Sequence, residues 1–67
     1  MSEKVESAIL SVIDRFCDDS GKILIEDVYH ILKKEYGIDR VSAGKAMVKL
    51  YRERKVAPSE YYYVRRI

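Results

Sequence analysis

A chain of 67 residues with one Cys and one His excludes an intrachain disulfide and any zinc site built from three or four Cys/His ligands, and it holds a single domain, residues 1–67, around a small core. No apolar run approaches the ~18 residues that span a membrane, and the charged opening Met1-Ser2-Glu3-Lys4-Val5-Glu6 lacks a signal-peptide core, so a cytoplasmic location and no membrane contact are expected. The net charge of +2 conceals an asymmetry: residues 1–36 carry five bases against eight acids and residues 37–67 eight bases against three acids, the distribution of a chain with one phosphate-facing side.

In chain order, residues 3–17 place Val5, Ala8, Ile9, Val12 and Phe16 on one helical face, with Ile13 beside them. Ser2 is the expected N-cap. Asp18-Asp19-Ser20-Gly21 ends that helix as a turn. Lys22-Ile23-Leu24 reads as one short strand or an extended link. Residues 25–36 resume helical spacing, with Ile25, Val28, Tyr29, Leu32 and Tyr36 on one face. Glu26 and Asp27 in the first turn and Lys33 and Lys34 in the last suit the helix dipole, and Gly37 supplies a left-handed stop.

Asp39 is a good N-cap for a third helix, at about 39–54. Ala43, Ala46, Met47 and Leu50 form its apolar face, and Arg40, Ser42, Lys45, Lys49 and Arg52 lie on the other side. Gly44 lowers helix propensity there, or lets another backbone come close. Val56-Ala57, a turn at Pro58-Ser59 and a strand from Glu60 to Ile67 complete a hairpin. By strand alternation Tyr62 shares the inward side of Val64, while Tyr61 and Tyr63 face outward. The outward pair suits stacking on bases or a protein contact, or serves only β-propensity and packing.

The remaining signals are bland. Aligning Gly21 with the invariant glycine of a calcium-binding loop puts Phe16 at the first ligand position, so Asp18-Asp19-Ser20-Gly21 is a turn. His30 falls away from the Val28/Leu32 face and reads as a surface residue. Cys17 reads as a half-buried small hydrophobe. No Gly-rich phosphate loop, catalytic carboxylate pair or nucleophile with its base is evident, so no enzymatic activity, metal or cofactor is expected. Absence of Asn, Gln and Thr beside abundant Lys, Glu and Arg is a thermophile pattern, pointing to an archaeal source or a virus of one.

The order helix, strand, helix, helix, strand, strand is that of a winged helix-turn-helix. Residues Tyr36-Gly37-Ile38-Asp39-Arg40-Val41-Ser42-Ala43-Gly44-Lys45-Ala46-Met47-Val48-Lys49-Leu50, continuing to Arg54-Lys55-Val56, resemble the turn and recognition helix of bacterial and archaeal winged-helix repressors. Small and apolar residues there occupy the positions of Ala43, Ala46, Met47 and Leu50. The resemblance implies a mainly α fold with a small β-hairpin (α+β): three helices and a short two- or three-stranded wing. Three departures stand out. Arg54 replaces the usual Gly before the wing strand, Glu60 sits beside a short wing tip, and Gly44 stands where relatives often place a base-reading polar residue.

Independently of any family, a helix entering the major groove needs one apolar face for anchorage and one polar face for bases and phosphates. Helix 39–54 has both. Arg40 and Ser42 lie in its first turn, where such helices meet the bases, and Lys45, Lys49 and Arg52 lie farther on, better placed for phosphates; Arg40, Ser42 and Lys45 are the candidates for base readout. The expectation is a small DNA-binding protein, a transcriptional regulator or nucleoid-type factor on duplex DNA. It would pair as a homodimer through helix 1 or the C-terminal strand, doubling the contacts. The alternative is a protein-interaction winged helix, an accessory subunit of a replication, repair, transcription or membrane-remodelling complex.

Overall fold

The computed structural model describes residues 2–67, with side chains from Glu3 onward. Its elements are α1 (Ser2–Phe16), β1 (Lys22–Leu24), α2 (Ile25–Tyr36), α3 (Arg40–Arg52), β2 (Val56–Ser59) and β3 (Tyr63–Arg66). The strands form one antiparallel sheet in the order β1-β3-β2. This mainly helical α+β arrangement of three helices and a three-stranded sheet is compatible with the winged-helix layout. Helix α1 begins at Ser2; the capping role expected of that side chain lies outside the described side chains.

Local chemistry sets the element boundaries. Gly37 adopts φ +67° and ends α2: its N–H donates to the Lys33 carbonyl (3.2 Å), and the Ile38 N–H donates to the Leu32 carbonyl (3.1 Å). Two carbonyls left over at the helix end are thereby satisfied. Two residues after Gly37, Asp39, in extended conformation, accepts the Ser42 N–H at 2.7 Å and opens α3. Before β1, the Asp18 carboxylate accepts the Ser20 and Lys22 N–H groups at 2.8 and 3.2 Å, closing the turn that reverses the chain after α1.

The core forms where α1 meets α2, α3 and the sheet. Ile9, Val12 and Ile13 of α1 are buried against Val28 and Leu32, against Ala43, Ala46, Met47 and Leu50, and against Ile23, Val56 and Val64. Each large aliphatic side chain so enclosed contributes roughly 1.5–3 kcal/mol.

Several sequence expectations are corrected. Phe16 and Tyr36 are both 42% exposed: they occupy the last turns of their helices, past the rim of the core, and the Arg15 guanidinium covers the Phe16 ring at 5.1 Å. Helix α3 stops at Arg52 rather than Arg54. Pro58 lies within β2, opposite Val64, instead of in the turn; β2 is an edge strand, where a missing N–H costs no ladder bond. A Cβ at Gly44 would meet nothing within 4 Å, so no neighbouring backbone approaches there.

The tyrosine alternation also fails, for a backbone reason. Ser59 pairs with Tyr63, which makes Glu60-Tyr61-Tyr62 a three-residue loop, and Glu60 and Tyr62 both have positive φ (+46° and +62°). Strand alternation therefore starts only at Tyr63. Tyr61 and Tyr62 are both exposed, while Tyr63 is half-buried beneath the Lys22 ammonium. The Tyr62 carbonyl accepts the Ile25 N–H at 2.8 Å, pinning the loop to the start of α2.

Arg54, where the resemblance leads one to expect Gly, has φ +58°. A left-handed residue with a side chain is strained by ~1–2 kcal/mol, partly offset because Gly loses more backbone entropy, ~0.5–1 kcal/mol. Arg54→Gly should therefore raise stability by ~0.5–1 kcal/mol, a few degrees in melting temperature. A lowered melting temperature would mean that the arginine stem packs well enough to outweigh the strain.

Candidate functional site

Helix α3 buries Ala43, Ala46, Met47 and Leu50, and the helical repeat sets the five candidate residues at different angles to that face. Directly opposite the core runs the line Val41, Lys45, Val48, Arg52, at steps of four, three and four. Ser42 and Lys49 lie on the flank nearer α1; Arg40 lies on the flank nearer α2. The structure thus brings Lys45 and Arg52 onto the outward line and leaves the other three at its margins.

Both flanking bases are held by acids of neighbouring helices. The Arg40 guanidinium pairs through both terminal nitrogens with both oxygens of Glu26, one contact at 2.9 Å, and stacks 4.8 Å over the Tyr29 ring. Lys49 Nζ lies 3.3 Å from Glu6 Oε2. Ser42 uses its backbone N–H to complete the Asp39 cap. Among the described residues, Lys45 and Arg52 have no carboxylate within ion-pair distance, nor do Arg54 and Arg65. Burial pushes the Tyr51 phenol up, with a smaller contribution from the nearby Tyr29; both rings are partly buried against the core.

Among the described residues Glu6 is the one buried carboxylate, 7% exposed. No donor is aimed at its Oε2, so the contact with Lys49 is an ion pair rather than a hydrogen bond, and the lysine's charge compensates the buried carboxylate. Removing one partner of such a pair is costly, reduced here because Lys49 is half-exposed. Lys49→Ala should cost about 1–3 kcal/mol in denaturant unfolding, and less than about 1 kcal/mol in a Glu6→Gln background. Equal losses in the two backgrounds would show that the charges are not coupled.

Acid sensitivity follows from three exposed carboxylates. The Lys22 N–H holds Asp18 below the ordinary carboxylate value, the Arg40 hydrogen bond does the same for Glu26, and the Ser42 N–H for Asp39. A folded pKa below the unfolded one gives stability that is present above the unfolded value and lost as pH falls through the folded value. The melting temperature should hold from pH 7 to about 5 and fall below about pH 4, less steeply in Asp39→Asn, which keeps an uncharged cap acceptor. A curve flat to pH 2 would contradict this.

The loop between β2 and β3 is tied back to β1. Lys22 reaches Asp18 (3.4 Å) and Glu60 (3.8 Å). Its ammonium is lowered by burial but raised overall by those carboxylates. Glu60 is thus partly neutralised, and Tyr61 and Tyr62, 86% and 78% exposed, form the tip. Arg66 pairs with Asp14 across to α1. Among the described residues no helix is long and apolar enough to cross a membrane, and no group of three His, Cys, Asp or Glu side chains could hold a metal ion.

No family model, curated protein or solved structure matches this chain. Sequence reasoning missed Val41 and Val48, 68% and 50% exposed. The signal was available: both fall opposite the core by the same helical repeat that selected Lys45 and Arg52.

Proposed function

We propose that this chain binds duplex DNA through α3, as a small transcriptional regulator or nucleoid-type factor. The observation that carries this reading is the outward line of α3, where Lys45 and Arg52 have no acidic partner among the described residues, on a helix whose opposite face is anchored in the core. Bases placed this way contact phosphates and steer the helix into the major groove. Arg40, Ser42 and Lys49 border the line; Arg40 and Lys49 join the contact by exchanging a carboxylate for a phosphate. Two copies would double the base contacts of a module this small. They would meet away from α3, since pairing that line with itself opposes like charges.

The test is binding to duplex DNA at two salt concentrations, together with sedimentation. Binding that weakens with a slope near −0.9 per phosphate contact supports the reading. The second reading, a protein-interaction subunit, is favoured by the exposed Val41 and Val48 and by the occupied Arg40 and Lys49. It predicts negligible duplex affinity and co-purification with a larger partner.

A further inference from the structure

We infer that α3 reads thymine, with Val41 and Val48 contacting the 5-methyl groups of two thymines in the major groove; this rests on the duplex reading above. Val41 and Val48 are the exposed aliphatic residues of α3, and they alternate with Lys45 and Arg52 along one line. That line contains no acid. Its charge selects a polyanion and disfavours a second copy of the same face. Among the edges that bases present in the major groove, the thymine methyl is the apolar one, and small apolar side chains are its partners.

Valine suits that contact. Branching at Cβ leaves one dominant rotamer in a helix, so little side-chain freedom is lost on docking. Gly44 is the helical neighbour of both, three residues after Val41 and four before Val48. With nothing within 4 Å of where its Cβ would stand, no side chain at that position holds the helix away from the groove floor. The two valines are seven residues apart, about 10 Å at a rise of 1.5 Å per residue. Base pairs rise by about 3.4 Å, and a helix lying along the groove is inclined to the duplex axis, which puts the two methyls within about three base-pair steps of each other.

The experiment selects the tightest duplex from a random-sequence pool with the full chain. Each thymine of that duplex is then replaced in turn by uracil, which deletes only the methyl. The expected result is two positions, within about three steps of each other, where uracil lowers affinity roughly three- to fivefold. Val41→Ala should erase the loss at one position and Val48→Ala at the other, both melting within a degree or two of the parent because the side chains are exposed. Uracil without effect at every position, or losses that persist in both variants, overturns the inference and leaves duplex binding standing. Absence of binding to any duplex overturns the reading and the inference together.

Discussion

Leu50→Ala should leave the protein mostly unfolded at elevated temperature. Leu50 is fully buried in the same cluster as Val28, Leu32 and the α1 residues Ile9, Val12 and Ile13, so truncation opens a cavity where three helices meet. Such substitutions cost ~2–5 kcal/mol. A domain of this length has a total stability on the order of 3–10 kcal/mol, so the variant loses a large fraction of it. The melting temperature should fall by about 10–40 °C. Val41→Ala, on the exposed side of the same helix, should move it by only a degree or two. If Leu50→Ala melted within a few degrees of the parent, the inward face of α3 would have been misassigned.

Lys45→Ala and Arg52→Ala should each reduce the magnitude of the salt slope of duplex binding by ~1, and the double variant by ~2. At 0.1 M salt one lost contact corresponds to about an eightfold loss of affinity, and two to about sixtyfold. The loss should be similar for all duplex sequences, because phosphate contacts carry no base information. Arg40→Ala should have a smaller effect, since Glu26 competes with the phosphate for its guanidinium. Lys49→Ala mixes lost affinity with lost stability through Glu6, so melting must be measured beside it. Full affinity in the Lys45/Arg52 double variant would remove α3 from the binding surface.

Short-range signals made most of the fold legible. Periodicity in α2 and the Gly37 stop delimit residues 25–36 as observed, because a left-handed glycine and an amphipathic stripe act within a few residues of one another. The Asp39 cap is local in the same sense. The loop between β2 and β3 was not legible. Positive φ at Glu60 and Tyr62 is imposed by pairing of β3 with both β1 and β2 and by the Ile25–Tyr62 backbone bond, while the residue types themselves argue for continuous strand.

By itself, the sequence determined the element order, the inward face of each helix short of its last turn and the concentration of positive charge in the second half of the chain. All three depend on residue spacing and composition, which precede folding. Which of those charges remain available was decided only by the tertiary structure. Glu26 and Arg40 are fourteen residues apart and Glu6 and Lys49 forty-three, and each pair meets only because α1 and α2 pack against α3. Charge pairing between helices depends on distances set by packing of the core, and a helical wheel for one helix carries no information about its neighbours' carboxylates. The same packing leaves Val41, Lys45, Val48 and Arg52 as the line of α3 opposite its buried face.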